Sequence, residues 1–261
     1  STMSAVHHAA QQGFSSQADA YARGRPDYPE ALDGWLKQAL GLGPGRQVAD
    51  VGAGTGKFTP RLVRTGAEVA AVEPVEAMRA KLSEALPGVR ALAGTAQALP
   101  LGDASLDAVV CAQAFHWFAS AQALQEFHRV LRPGGRLGLV WNVRDESVDW
   151  VAELTAIMTP YEGDAPRFYK GDWRRPFEAP GQRWFGPLQE TRWPYVHRGT
   201  PQDVVVNRTM SVSFIAALPK PEQARVRERI EALIARHPAL RGQAVVDSPY
   251  TTQAYAAEKL A

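Results

Sequence analysis

The sequence predicts an α/β protein: an open, mostly parallel sheet with helices on both faces. Three observations carry that expectation. Strand-like and helix-like segments alternate five times between Gln47 and Trp141. One of the strand segments, Leu106–Ala112, is almost wholly apolar, as a strand covered on both faces requires. The first strand runs straight into three glycines, Gly52, Gly54 and Gly56, that open onto a helix.

The elements follow in order. Pro26 and Pro29 lead into a helical stretch, Glu30–Leu40, closed by the turn residues Gly41 to Gly45. Gln47–Val51 is a short apolar strand, and Phe58–Thr65 is the helix beyond the glycine loop. Ala67–Val72 is strand-like, and Val75–Leu86 is helical with Met78 and Leu82 expected on one face. Val89–Ala93 and Leu106–Ala112 are the third and fourth strands. Ala121–Leu131 is a helix stopped by Pro133-Gly134-Gly135, and Arg136–Trp141 is the fifth strand. The register then breaks. Residues 143–200 hold a helix at Asp149–Met158 and a crowd of aromatics, among them Trp150, Phe168, Tyr169, Trp173, Phe177 and Trp184. So apolar a segment is no linker, and it is expected to fold over the sheet as a cap. A strand near Glu190–His197, helices at Pro201–Met210 and Pro221–Arg236, and a strand at Val245–Ala254 complete the chain. The expected organisation is a single domain, with a lid and cofactor-binding half at 1–142, a cap or substrate insertion at 143–200, and the rest of the core at 201–261.

Composition narrows the function classes. Of 261 residues, 29 are Lys or Arg and 27 are Asp or Glu, a formal net charge of +2 that gives no reason to expect a nucleic-acid partner. The basic residues Arg225, Arg227, Arg229 and Arg236 share a segment with Val226, Ile230, Leu233 and Ile234, the pattern of a docked amphipathic helix. A lone cysteine, Cys111, excludes an intramolecular disulfide, and its place among valines and alanines makes it core. With no long apolar run and no basic-then-apolar leader, the expected setting is the cytoplasm, away from membranes. His7-His8 has no companion at metal-ligand spacing, so no metal is expected.

The chemistry is concentrated in Asp50-Val51-Gly52-Ala53-Gly54-Thr55-Gly56-Lys57. In an open parallel sheet, ligands bind beyond the carboxyl ends of the strands, where this loop lies. Glu73 closes the second strand, and a carboxylate there can accept hydrogen bonds from both hydroxyls of a ribose. A dinucleotide fingerprint would need glycine where Lys57 stands; a phosphate-binding P-loop would need glycine at Val51 and Ser or Thr at Phe58. A loop without a pyrophosphate cradle suits a nucleoside cofactor that has no phosphate, S-adenosylmethionine foremost.

At this point the chain resembles the class I S-adenosylmethionine-dependent methyltransferases, and within them the small-molecule type 11 branch. Asp50 to Gly56 is similar to the family's first motif, Val72-Glu73-Pro74 to its second, and Gly94-Thr95-Ala96-Gln97-Ala98-Leu99-Pro100 to the segment that holds adenine. Thr95 stands where the family commonly has an aspartate for the adenine amino group, so that contact is weakened or passes to the Ala96 backbone N–H. Leu106 to Phe118 and Val130 to Gly135 match the fourth strand and the turn before the fifth. The opening Tyr21, Arg23, Arg25, Pro26 is similar to the family's own opening, whose arginine can pair with the cofactor carboxylate. The resemblance implies a Rossmann-like sheet of seven strands ending in an antiparallel hairpin. It also implies S-adenosylmethionine as methyl donor and S-adenosylhomocysteine as product. The cofactor residues it implies are Tyr21, Arg25, Asp50, Gly52, Gly54, Gly56, Glu73, Pro74, Thr95, Ala96 and Gln113.

For the acceptor side the candidates are His116, Trp117, Asn142 and Arg144, with Asp145, Arg167, Arg174 and Arg175 among the neighbouring aromatics. His116, just past the fourth strand, is a candidate general base or substrate orienter. Arginines among aromatic rings suit a planar or anionic acceptor, although each is equally readable as a surface charge. The expected reaction is methyl transfer by in-line displacement to a small organic molecule, at oxygen rather than nitrogen or sulfur, by a monomer or homodimer. A nicotinamide oxidoreductase and a non-catalytic S-adenosylmethionine-binding module remain as alternatives.

Overall fold

The parallel strands form where the apolar runs place them. In a computed structural model that describes residues 23–261, β1 (Gln47–Val51), β2 (Glu68–Val72), β3 (Arg90–Leu92), β4 (Leu106–Ala112) and β5 (Leu131–Arg144) are joined by parallel pairings. With β6 (Gln189–Gly199) and β7 (Val246–Glu258) they make one seven-stranded sheet in the order β3-β2-β1-β4-β5-β7-β6. The final strand runs the other way. Bonds from Thr252 to Asn142 and from Lys259 to Gly135 descend β5 as β7 ascends. The pairs Tyr255–Glu190 and Arg198–Asp247 do the same along β6. The fold is therefore the expected Rossmann-like α/β sheet with helices, and its end is an antiparallel hairpin.

The helices that position the site are α1 (Ala31–Gln38), α2 (Thr59–Arg64), α3 (Glu76–Ala85) and α4 (Ala121–Val130), followed by α5 (Asp149–Met158) and α6 (Lys220–Arg236). Ser120 caps α4, its hydroxyl accepting from the Ala123 N–H at 3.1 Å. Among the described residues, no helix is long and apolar enough to cross a membrane.

Several boundaries differ from expectation for identifiable reasons. β5 begins five residues earlier than Arg136, because the Pro133-Gly134-Gly135 turn is absorbed as a bulge: Leu106 pairs with Leu131, but Ala108 pairs with Arg136. β7 extends to Glu258, since Tyr255, Ala256 and Ala257 are buried. The expected helix at 201–210 opens as a π-helical turn, Gln202–Asn207, before three α-helical residues. Within the helix at Glu76–Ala85, Leu82 is fully buried while Met78 is 44% exposed.

The chain divides into two compact units, with three of the cuts falling inside β5, β6 and β7 and the others after Tyr28 and Ala165. One holds 23–28, Val143–Ala165 and Pro194–Thr251. Its core is helical: Trp150, Val151, Leu154 and Met158 of α5 pack with Val204, Val205, Ile215 and the Val226, Ile230, Leu233 face of α6. The other holds Pro29–Asn142, Pro166–Trp193 and Thr252–Ala261. Its core is the parallel sheet, and the end of α1 and the turn after it lie so close that a Cβ on Gly138 would meet Leu40 Cδ1 at 2.6 Å and Trp35 Cη2 at 3.3 Å. Residues 143–200 are thus shared between the units, with 166–193 belonging to the sheet unit.

Candidate active site

At the carboxyl end of β1 the chain must turn sharply, and it does so with positive φ at Gly52, Gly54 and Gly56. The three glycines are required for different reasons. A Cβ on Gly52 would meet Ala114 Cβ at 3.0 Å, and one on Gly56 would meet Leu82 Cγ at 2.9 Å, so these two let the loop pack on its neighbours. Gly54, at φ 59°, has nothing within 4 Å of such a Cβ: its face is open for a ligand to approach the backbone.

Glu73 joins this loop to β2. Its Oε1 accepts from the Gly54 N–H at 2.9 Å and its Oε2 from the Val75 N–H at 2.8 Å, with the residue only 6% exposed. Both carboxylate oxygens are thereby oriented, and each retains a lone pair for a hydroxyl donor. Pro74 and Val75, which follow, are exposed. This open glycine face beside an oriented carboxylate fits an S-adenosyl nucleoside.

Asp50 lies beneath the loop, buried between strands, and accepts from the Thr59 hydroxyl at 2.7 Å. Burial pushes its carboxyl up to about 7; the Thr59 bond opposes that rise and the charge of Glu73 adds to it. Burial, with the Asp50 charge behind it, also pushes the Cys111 thiol well up, which keeps Cys111 an inert core residue as expected.

After β4 the backbone is strained. Gln113 sits at φ 59° although it is not glycine, held by its N–H bond to the Val140 carbonyl at 2.8 Å. The 3₁₀ turn Phe115–Trp117 follows. Phe115 is buried, Trp117 is 49% exposed, and His116 between them is half-buried. The Trp141 indole N–H lies 3.1 Å from His116 Nδ1. Burial first, and the Arg167 guanidinium second, lower the His116 pKa to about 4. Trp141 is itself packed at ring-centroid distances of 4.6 Å from Phe168, 4.7 Å from Trp173 and 5.9 Å from Tyr255. Arg174 covers the Trp173 and Tyr255 rings at 4.6 and 5.0 Å. The Tyr255 hydroxyl lies 2.6 Å from Glu190 and 2.8 Å from Gln253, and burial pushes it up to about 12.

The sheet unit thus contains Asp50, Gly52, Gly54, Gly56, Glu73, Pro74, Thr95, Ala96, Gln113, His116, Trp117 and Asn142. Hydrogen bonds tie Gly54 to Glu73, and Asn142 Oδ1 to the Thr252 hydroxyl at 2.6 Å. Ala96 is buried and Thr95 exposed. Arg25 and Arg144 fall in the helical unit, where Arg144 approaches the Met158 sulfur at 3.5 Å. Tyr21 and His7-His8 lie outside the described residues. Sequence reasoning passed over Trp141. The signal was there: in a parallel sheet the carboxyl end of β5 adjoins that of β4, so Trp141 had to lie near the residues that follow Ala112.

The sheet order, its reversed last strand and the open glycine turn at β1 together define a class I S-adenosylmethionine-dependent methyltransferase. Residues 49–139 match the methyltransferase-domain family, and the chain belongs to it, in the type 11 branch. It is 43% identical over 240 residues to an uncharacterized methyltransferase of Mycobacterium tuberculosis, spanning 92% of each chain. To an uncharacterized methyltransferase-like protein of Schizosaccharomyces pombe it is 35% identical over 247 residues, 94% of this chain and 95% of the relative. Among solved structures, the YcgJ protein of Bacillus subtilis shares the fold, with TM-score 0.55 at 19% identity, over 89% of this chain and 100% of that one. The nicotinamide and non-catalytic alternatives give way to this assignment.

Proposed function

We propose that the enzyme methylates oxygen in a small organic acceptor that arrives already ionised, a carboxylate or phenolate on a planar or unsaturated frame. One observation carries this reading: the His116 ring packs beside Trp117 and Trp141 and faces the Trp141 indole N–H, where burial and the Arg167 guanidinium favour its neutral form. A base with its pKa near 4 is a weak proton acceptor at neutral pH and poorly matched to an alcohol. A neutral ring N–H beside a guanidinium is instead a receptor for an oxygen that has already lost its proton. The half-exposed Trp117 ring, 5.2 Å from His116, offers a flat apolar wall for the acceptor frame.

The division of labour follows. Glu73 would grip the ribose hydroxyls, the Gly52 to Gly56 turn would lie against the amino-acid moiety with Asp50 beneath it, and Pro74, Thr95, Ala96 and Gln113 would bound the adenine and the sulfur side. Asn142 is assigned to the acceptor. S-adenosylmethionine, when bound, supplies an electrophilic methyl on a good leaving group. The protein's task is then to align an oxygen lone pair behind that methyl, and alignment supplies about 7–11 kcal/mol of barrier lowering in favourable cases.

The test uses 13C-methyl-labelled S-adenosylmethionine with a panel of small carboxylic acids and phenols, read by NMR of the products. An oxygen-bound methyl is expected; methyl found only on nitrogen, sulfur or carbon overturns the proposal. His116→Ala is expected to raise the acceptor KM on the order of 10–100-fold, as loss of a hydrogen bond of about 1.5–3 kcal/mol to a charged group does, with S-adenosylhomocysteine affinity unchanged by calorimetry.

A further inference from the structure

We infer that Trp141 is a positioning residue: its indole N–H pins His116 in the tautomer that carries its proton on Nε2, so that the imidazole presents a donor to the acceptor oxygen. An indole nitrogen can only donate, so the nitrogen it faces across 3.1 Å, His116 Nδ1, must hold a lone pair. The proton of the neutral ring then sits on Nε2, which makes no hydrogen bond to any described residue. Protonating Nδ1 would set N–H against N–H, so the bond that selects the tautomer opposes protonation in the same direction as burial and the Arg167 guanidinium do.

Neither partner can turn away. Trp141 is 1% exposed and wedged by Phe168, Trp173 and Tyr255. His116 is anchored by Phe115, which is fully buried and packs on Phe118, Phe127, Trp173 and Phe177. Arg167 is the charged group that acts on the imidazole, and Arg174 is committed to the Trp173 and Tyr255 faces. A charged imidazole beside Arg167 would be repelled; a neutral one with its proton on Nε2 still offers a donor to an anion. The identity of the acceptor oxygen rests on the reading above, but the tautomer does not.

The experiment is 15N-correlated NMR of histidine-labelled full-length protein at neutral pH, with no acceptor present, on wild type and Trp141→Phe. The phenyl ring keeps most of the packing and removes the N–H. Expected in the wild type is a pyridine-like, unprotonated Nδ1 and a pyrrole-like, protonated Nε2 on His116. In Trp141→Phe the two tautomers mix, a change in which ring nitrogen carries the proton that loss of packing alone does not produce. A pyrrole-like Nδ1 in the wild type overturns the inference, and this spectrum decides by itself if the variant does not fold. An unchanged tautomer in a folded variant overturns it equally. Because no acceptor is used, absence of any oxygen-methylated product would overturn the proposed reaction and leave the tautomer result standing.

Discussion

The two parts of the candidate site in the sheet unit are built in opposite ways. The cofactor side is local: Asp50, the three glycines and Glu73 fall within 24 residues and are joined by backbone bonds such as Gly54 N–H to Glu73. The aromatic side is assembled from afar: Phe115, Trp141, Trp173 and Tyr255 come from four separate stretches and meet by ring packing. A site made by turn geometry announces itself in residue spacing. A site made by packing announces only its composition, because any of ten aromatics between 150 and 195 could have filled the same places.

If the aromatic side is also the structural core of that end of the sheet, breaking it should unfold the protein before it alters chemistry. Trp173 is 2% exposed and touches Phe115, Trp141, Phe168, Phe177 and Tyr255. Trp173→Ala is expected to cost about 5 kcal/mol, the upper end for a large-to-small core substitution, measured by urea unfolding followed by circular dichroism. A cost below about 1 kcal/mol, within the range of ordinary surface substitutions, would show instead that the cluster is a soft lining.

The cofactor side carries a different liability. Asp50 has a folded pKa of about 7 against an unfolded value of 3.8. The folded state therefore prefers the protonated form: the stability it contributes is fully present below about pH 4 and is lost as pH rises through about 7. A shift of about three units is worth up to about 4 kcal/mol. Asp50→Asn, which keeps an acceptor for Thr59, should flatten this dependence. The stability gain of the variant over wild type is expected to grow between pH 4 and pH 8 in paired denaturant titrations. A gain that does not vary with pH would mean that Asp50 is not held protonated.

These contrasts also mark what could be read in advance. The order of strands and helices from Gln47 to Trp141 was legible because each element is short, apolar and punctuated by glycine or proline, and α5 falls at Asp149–Met158 as expected. The bulge that lengthens β5 was hidden, because Pro133-Gly134-Gly135 reads as a stop in one strand alone and becomes a bulge only against Leu106 and Ala108 of its partner. The exposure of Met78 was hidden as well: helical periodicity assigns it a face, and only the packed neighbours decide whether that face is covered. Glu73 was found from its spacing to the glycines, whereas the pairing of His116 with Trp141 needed the β4–β5 neighbour relation in addition to either residue.

Glu73 gives the sharpest test of the local half. Its carboxylate already accepts two backbone N–H groups, from Gly54 and Val75, so it orders the loop before any nucleoside arrives. Glu73→Ala removes the partner of both N–H groups and the acceptor for the ribose hydroxyls together. Hydrogen bonds to a charged group contribute about 1.5–3 kcal/mol each, so S-adenosylhomocysteine affinity should fall on the order of a hundredfold by calorimetry. Glu73→Gln is not a mild substitute: one end of its amide must turn an NH₂ toward a backbone N–H, whichever way it is flipped. Its loss should approach that of alanine. Nucleoside affinity surviving in both variants would mean that the ribose is held elsewhere, and that the turn at Gly54 serves the fold alone.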